Sequence, residues 1–343
     1  MSFIGLFLLQ TTVNYNNIMK TSMFRTIFSN FTQSFVSSHS NMTKVDGNEL
    51  LKYEETIRNA VHKLNTRLYA SARVLCAILT VKSAMDKHQA ILVTWGRKCH
   101  RILFFVGAER GREHKETVTP IGDTGRAQMV ELPMKDGHDR TWHKVRRLVA
   151  FVFEHHLGDF DWFVRADDDT YIVMENLLKF LARRDPTRRE YYGMEYKVIV
   201  PGGYVGTGAG LVLSAKNFPL LNQAVKHQQC NRGDTHNDDV EIAKCMRLVN
   251  FTIFDSRDDN NRLRFLTTPL LSTVQKDKPG WIHQWTKHKI VDGWDCCADD
   301  FIGFHYAKPD EMRLIESLLY HVHPYTNREQ WDPRLYLKAL NRK

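Results

Sequence analysis

The sequence predicts an α/β fold with a mainly parallel central sheet flanked by helices. Two observations carry that prediction. From Arg73 onward, short apolar runs alternate with amphipathic segments, the order expected of strand, helix and strand. The run from Val74 to Thr80 is also apolar without interruption, as in a strand covered on both faces.

The elements follow in chain order. Met85 to Trp95 carries a helical pattern, and Ile102 to Val106 reads as a second buried strand. A polar segment from Gly107 to Gly125 is expected to loop out, with Met129 to Leu132 as a third strand. Trp142 to Leu157 forms a long amphipathic helix. Trp162, Phe163 and Val164 then make a buried strand that breaks into three consecutive carboxylates, Asp167, Asp168 and Asp169, before a helical pattern begins at Ile172. In open α/β sheets ligands bind beyond the carboxyl ends of strands, where this triplet falls.

Three like charges at one strand end repel one another. They are tolerable if solvated or if a cation sits among them, and an oxygen-rich site suits Mg²⁺ or Mn²⁺. A metal held by one or two carboxylates commonly completes its coordination with a diphosphate. The triplet is equally compatible with an acidic turn that caps the next helix.

The second half is more mixed. Residues 202 to 210, Gly-Gly-Tyr-Val-Gly-Thr-Gly-Ala-Gly, are small enough for close backbone approach or for a bulged turn, and lead into the strand Leu211 to Ser214. No Lys-Ser/Thr follows at the spacing of a P-loop. Asp238 and Asp239 open a helix with Val240, Ile242, Met246 and Val249 as buried positions; acidic residues there also serve as caps. Phe301 to Tyr306 is a short apolar strand that ends near a histidine, His305.

At 343 residues and 43% hydrophobic content the chain can bury a sizeable core. Its 48 basic and 39 acidic residues give a net charge of +9. The basic residues are scattered and accompany no nucleic-acid motif, so nucleic acid is not an expected partner. Six cysteines, at 76, 99, 230, 245, 296 and 297, permit fifteen pairings. The expected pairs are Cys76 with Cys99 and Cys230 with Cys245, with Cys296 and Cys297 as a vicinal pair or bonded elsewhere. Sequons at Asn30, Asn41 and Asn250 agree with an oxidising, secretory compartment.

Residues 1 to 48 are expected to be a poorly ordered stem, 49 to 70 a leading helix with apolar Leu50, Leu51, Ile57, Val61, Leu64 and Leu68, and 71 to 343 the folded domain. The apolar stretch Ser2 to Leu9 is shorter than the roughly 20 residues of a membrane helix. It also lacks a basic flank, so a membrane anchor is expected to lie outside this sequence.

Taken together, several pieces resemble the fringe-like β1,3-glycosyltransferases, and within them the branch that makes core 1 O-glycans, over about residues 70 to 325. They are Asp161-Trp162-Phe163 through Asp169-Thr170-Tyr171, Gly208-Ala209-Gly210 with Val212-Leu213-Ser214, Lys244-Cys245-Met246, Asp255-Ser256-Arg257-Asp258, Cys296-Cys297 and Phe304-His305-Tyr306. The resemblance implies a GT-A, Rossmann-like fold and an inverting transfer of galactose from UDP-galactose to the 3-hydroxyl of GalNAc on Ser or Thr of a glycoprotein. It also implies a type II Golgi membrane protein, with a homodimer compatible.

By position, Asp169 and His305 become ligands of Mn²⁺ or Mg²⁺, and Asp167 or Asp168 contacts the ribose or the outer metal shell. Asp239 becomes the general base. Thr80 and Lys144 are candidates for UDP contact; Tyr204, Gly208, Trp281 and Trp285 are candidates at the sugar. The family commonly reads Gly-Gly-Ala-Gly-Tyr where this chain has Thr207 before Gly208-Ala209-Gly210 and Leu211 after them, and Glu where it has Asp238. These departures bear on acceptor specificity rather than on the reaction. A donor or acceptor of another kind, and a catalytically silent paralog acting as a binding partner, are the alternatives.

Overall fold

The computed structural model describes residues 72–108, 115–275 and 280–322. The expected stem, the leading helix and the sequons at Asn30 and Asn41 lie outside the described residues. The chain divides into two compact units. One comprises Met1–Ala72 with Leu177–Asp185, and the other Arg73–Asn176 with Pro186–Lys343. Of the first, only Ala72 and 177–185 are described; they include the end of one helix, where Leu177 and Leu181 are buried.

In the larger unit, β1 (Val74–Leu79) is followed by α1 (Met85–Val93), β2 (Arg101–Ala108), β3 (Thr117–Ile121), β4 (Ala127–Lys135), α2 (Thr141–His156), β5 (Trp162–Asp167) and β6 (Tyr171–Ile172). Helix α3 (Met174–Leu181) runs from this unit into the other. Then come β7 (Glu190–Tyr192), β8 (Met194–Tyr196), β9 (Tyr204–Gly206), β10 (Leu211–Ser214), α4 (Phe218–Lys226), α5 (Asp238–Arg247) and β11 (Thr252–Ile253). The remainder is β12 (Phe265–Leu266), α6 (Leu270–Val274), α7 (Gly280–Trp285), β13 (Gly303–Phe304) and α8 (Pro309–Tyr320).

An eight-stranded sheet has the order β11-β7-β10-β5-β1-β2-β4-β3. Its centre, β5-β1-β2-β4, is parallel, while β3 and β10 run antiparallel to their neighbours. The chain builds outward from β1 through β2 to β4, then returns to the other side of β1 as β5. That reversal creates a crevice beyond the carboxyl ends of β1 and β5, the usual ligand position in such sheets.

The uninterrupted apolar run of β1 is explained by its two faces. Leu75, Ala77 and Leu79 pack into a core with Trp142, Val145, Leu148 and Val152 of α2, Phe218 and Leu221 of α4, and Ile242 and Met246 of α5. Ring contact between His88 and Phe104 marks α1 on β2, whose residues from Ile102 to Ala108 are all buried.

The segment expected to loop out between Gly107 and Gly125 contains β3. Four of its five residues are exposed, so no apolar alternation announces it. Gly122 (φ 67°) and Gly125 (φ 63°) take left-handed conformations in the turn that joins it to β4. Pro120 is tolerated because β3 is an edge strand. Likewise Ile172, where the sequence pattern starts a helix, forms β6 together with Tyr171. They pair antiparallel with Gly303 and Phe304 of β13, which lies beside β12 in a separate small sheet.

Disulfides join Cys76 to Cys99, Cys230 to Cys245 and Cys296 to Cys297, matching the two expected pairs and the vicinal alternative for the third. The first two close loops of 23 and 15 residues, each a constraint on the unfolded chain of about 3 kcal/mol.

Candidate active site

The acidic triplet sits where β5 ends, in a turn that sends its carboxylates in different directions. The Asp167 N–H donates to Thr170 Oγ1 (3.0 Å), and that hydroxyl donates to the Gly208 carbonyl (2.7 Å). Asp168 faces β1 and α1: it accepts from Thr80 Oγ1 at 2.7 Å and Lys87 Nζ at 2.7 Å. Asp167 and Asp169 face His305 instead, whose Nε2 lies 3.6 Å from Asp167 Oδ2 and 3.0 Å from Asp169 Oδ1.

His305 arrives through the small sheet. Phe304 pairs with Tyr171, the His305 N–H donates to the Leu266 carbonyl (3.1 Å), and the Ala307 N–H donates to the Asp169 carbonyl (2.8 Å). The imidazole is confined on two sides. Tyr306 stacks on it with ring centroids 3.9 Å apart, holding a left-handed backbone (φ 60°). A Cβ added to Gly208 would fall 2.2 Å from His305 Nδ1. Glycine is required at 208 because any side chain would displace the ring.

One ligand atom each from Asp167, Asp169 and His305 lies within 4.8 Å of the others. Two carboxylates and an imidazole on three half-buried side chains suit Mn²⁺ or Mg²⁺. Burial works against the charge of Asp169, but the hydrogen bond and charge of His305 outweigh it, with Lys87 adding to them; its pKa lies below the ordinary carboxylate value. Asp169 is therefore ionised at neutral pH, as a metal ligand must be. The sequence reading left Asp167 between ribose and outer shell, together with Asp168. The structure groups Asp167 with Asp169 and His305 and turns Asp168 away.

Asp239 stands in the first turn of α5, half-buried, its Oδ1 accepting the Val240 N–H at 2.8 Å. Burial raises its pKa, and the charge of Asp167 adds to that, against the Val240 hydrogen bond and Arg165. A carboxylate displaced upward is a better proton acceptor. Its neighbour Asp238 is buried and binds Arg165 Nη2 at 2.7 Å, while Arg165 Nη1 lies 3.0 Å from Asp167 Oδ1. Burial pushes Asp238 upward more strongly than Arg165 draws it down.

Thr80 lies at the crevice, where its hydroxyl contacts both Asp168 and His88 Nε2 (2.7 Å). Lys144 is held back from it. Its ammonium donates to the Thr80 carbonyl (2.7 Å) and pairs with Asp136, whose other oxygen accepts the Gly107 N–H. Tyr204 is 1% exposed and meets Tyr196 edge-on, so it serves as wall rather than as an open sugar platform. Trp281 is 40% exposed, and it, Trp285 and Tyr196 form mutual edge contacts. Helix α5, which bears Asp239, packs on β9, which carries Tyr204.

Arg165, Lys87, His88, Asp136 and Tyr306 were not singled out from sequence. Arg165 alone carried a legible signal, since a charge inside the buried run Trp162 to Ala166 needs a partner. In the motif Asp255 to Asp258, Arg257 binds Asp255 and Asp258 binds Arg262, so its charges brace the loop leading to β12.

The Fringe-like family model matches residues 72–259. The chain is 30% identical over 286 residues to glycoprotein-N-acetylgalactosamine 3-beta-galactosyltransferase 1 of Xenopus laevis, covering 82% of this chain and 75% of that protein. Chondroitin sulfate synthase 3 of Homo sapiens and of Mus musculus is 28% identical over 131 residues, 35% of this chain and 14% of each synthase. With a GT-A-like sheet and these matches, the chain belongs to the Fringe-like family of β-1,3-glycosyltransferases.

Proposed function

We propose that the chain transfers galactose from UDP-galactose to the 3-hydroxyl of GalNAc linked to Ser or Thr, with inversion and with dependence on Mn²⁺. The observation that carries this reading is the convergence of Asp167, Asp169 and His305, with Arg165 linking Asp167 to Asp238, the neighbour of Asp239. The similarity to the Xenopus enzyme supports galactose as the sugar and GalNAc as the acceptor.

In this reading Asp169, His305 and Asp167 would hold the metal, whose charge would offset that of the departing diphosphate. Asp239 takes the proton from the acceptor hydroxyl as its oxygen bonds to the anomeric carbon and the bond to UDP breaks. Thr80 and Asp168, hydrogen-bonded to each other, are assigned to the nucleotide, while Lys144 acts by holding the Thr80 carbonyl. Trp281, backed by Trp285, offers its exposed face to a sugar. Disulfides and the sequon at Asn250 support a secretory-pathway location, within which the family resemblance implies a Golgi protein of type II topology. Among the described residues no helix is long and apolar enough to cross a membrane.

The test is UDP release from UDP-galactose by the purified chain, with Mn²⁺ or EDTA, with and without a GalNAc-Ser/Thr peptide. The expected result is turnover that needs both metal and acceptor and is lost in Asp169→Ala and Asp239→Ala. The likeness to chondroitin sulfate synthase 3 favours, as a second reading, a different donor or acceptor. Turnover with another UDP-sugar or acceptor, and none with this pair, would establish that reading instead.

A further inference from the structure

We propose that Asn250 carries an N-linked glycan. This inference rests on the secretory-pathway reading above. Asn250-Phe251-Thr252 is a sequon, and in the folded protein both Asn250 and Thr252 are exposed while Phe251 is 5% exposed and packs into the core. The buried residue fixes the direction of the two polar ones.

The local structure explains why each residue is tolerated. Helix α5 closes in a Schellman-type turn: the Phe251 N–H donates to the Met246 carbonyl (3.2 Å) and the Asn250 N–H to the Arg247 carbonyl (3.1 Å). The residue between must be left-handed, and Asn250 has φ 61°. Glycine suits that position better, with asparagine next. The cap therefore accounts for a small residue at 250, but not for the exposed Thr two positions on. Nor does the cap use the Asn250 side chain, which has no hydrogen-bond partner among the described residues.

Placement gives the glycan a physical role. Among the described residues, Thr252 begins β11, which pairs only with β7 and forms one edge of the eight-stranded sheet. Open edges invite pairing with another chain, and a bulky, hydrated group at the edge blocks it. The position also spares the site. Asn250 follows the carboxyl end of α5 and Asp239 opens its first turn, eleven residues away, roughly 16 Å along the helix at 1.5 Å per residue.

The experiment is translation of the full chain behind an added cleavable signal sequence, with microsomes, read by protease protection, gel mobility and peptide-N-glycosidase digestion. In an N30Q/N41Q background one glycan should remain on the protected chain. It should be lost in Asn250→Gly, which keeps the helix cap, and in Thr252→Ala, and be kept in Thr252→Ser. Purified Asn250→Gly should match the parent in kcat/KM within about twofold, a readout of intact folding, and aggregate faster on warming. A protected chain of the N30Q/N41Q background without a glycan, or one whose glycan survives Asn250→Gly, overturns the proposal and leaves the secretory reading standing. A chain still digested by external protease and unglycosylated despite the signal sequence overturns both.

Discussion

Arg165→Met removes the guanidinium that faces both Asp167 and Asp238 and keeps a side chain that fills much of the same space. Arg165 is 3% exposed and Asp238 is 7% exposed, so water cannot replace the lost charge without opening the site. Taking one partner from a buried pair costs about 3–5 kcal/mol. For a domain of this size that lowers Tm by on the order of 6 to 20 °C. The pH dependence distinguishes a lost charge partner from lost packing. Asp238 already titrates above its unfolded value, so the stability linked to its neutral form is present below the unfolded pKa and lost as pH rises through the folded one. Without Arg165 the folded pKa moves higher still, and the loss grows. The deficit of the variant should therefore be small near about pH 4 and largest near about pH 8. Urea unfolding followed by tryptophan fluorescence at several pH values measures it. A variant within about 1 kcal/mol of the parent at pH 8 would refute the argument. So would a deficit that does not change with pH.

Three further outcomes follow from the geometry. Gly208→Ala should displace His305 and weaken Mn²⁺-dependent UDP binding by about tenfold or more in titration calorimetry, with the circular dichroism spectrum unchanged. Lys144→Met leaves the Thr80 carbonyl and Asp136 without their shared cation, and should cost about 1–3 kcal/mol in urea unfolding. A loss of UDP affinity with stability unchanged would instead mark Lys144 as a direct nucleotide contact. Burial lowers the pKa of His88, so folding favours its neutral ring and stability should fall as pH drops through about 6.5, the unfolded imidazole value. In His88→Gln that limb of the stability curve should flatten, and a limb of unchanged slope would assign the titration elsewhere.

How legible each part was in sequence depended on whether it buries its own apolar face. β1, β2 and β5 announce themselves because both faces are covered, and α2 because one side is. β3 is silent because it is an exposed edge whose existence depends on β4 and on two left-handed glycines. β6 is silent for another reason. Two residues carry no period, and only pairing with β13, more than 130 positions away, makes Tyr171 and Ile172 a strand. The same long-range pairing brings His305 to Asp169. A lone histidine at the end of a short strand has no local signal of that function, and only its resemblance to a known family pattern singled it out. Lys144 shows the opposite case, since its position in sequence is compatible with a phosphate contact and only the fold shows its ammonium already engaged.

The triplet posed the sharpest question in the sequence, and the structure answers it with one cationic or proton-bearing partner for each carboxylate. Asp167 has Arg165 from its own strand, Asp168 has Lys87 from α1, and Asp169 has His305 from the end of β13. The three partners differ in what they permit. Arg165 is buried and permanently charged, so it fixes Asp167 in place, and through Asp238 it ties that position to the turn bearing Asp239. Lys87 is 40% exposed on its side chain and can yield Asp168 to a ligand at small cost. His305 is itself a ligand-type group placed with Asp167 and Asp169, which makes it the partner able to turn from Asp169 to a metal. The repulsion among the three aspartates is thus relieved by the fold itself. On the proposed function a divalent ion would then serve the diphosphate rather than the stability of the triplet, and the hold of Arg165 on both Asp167 and Asp238 would tie its site to the turn that bears Asp239.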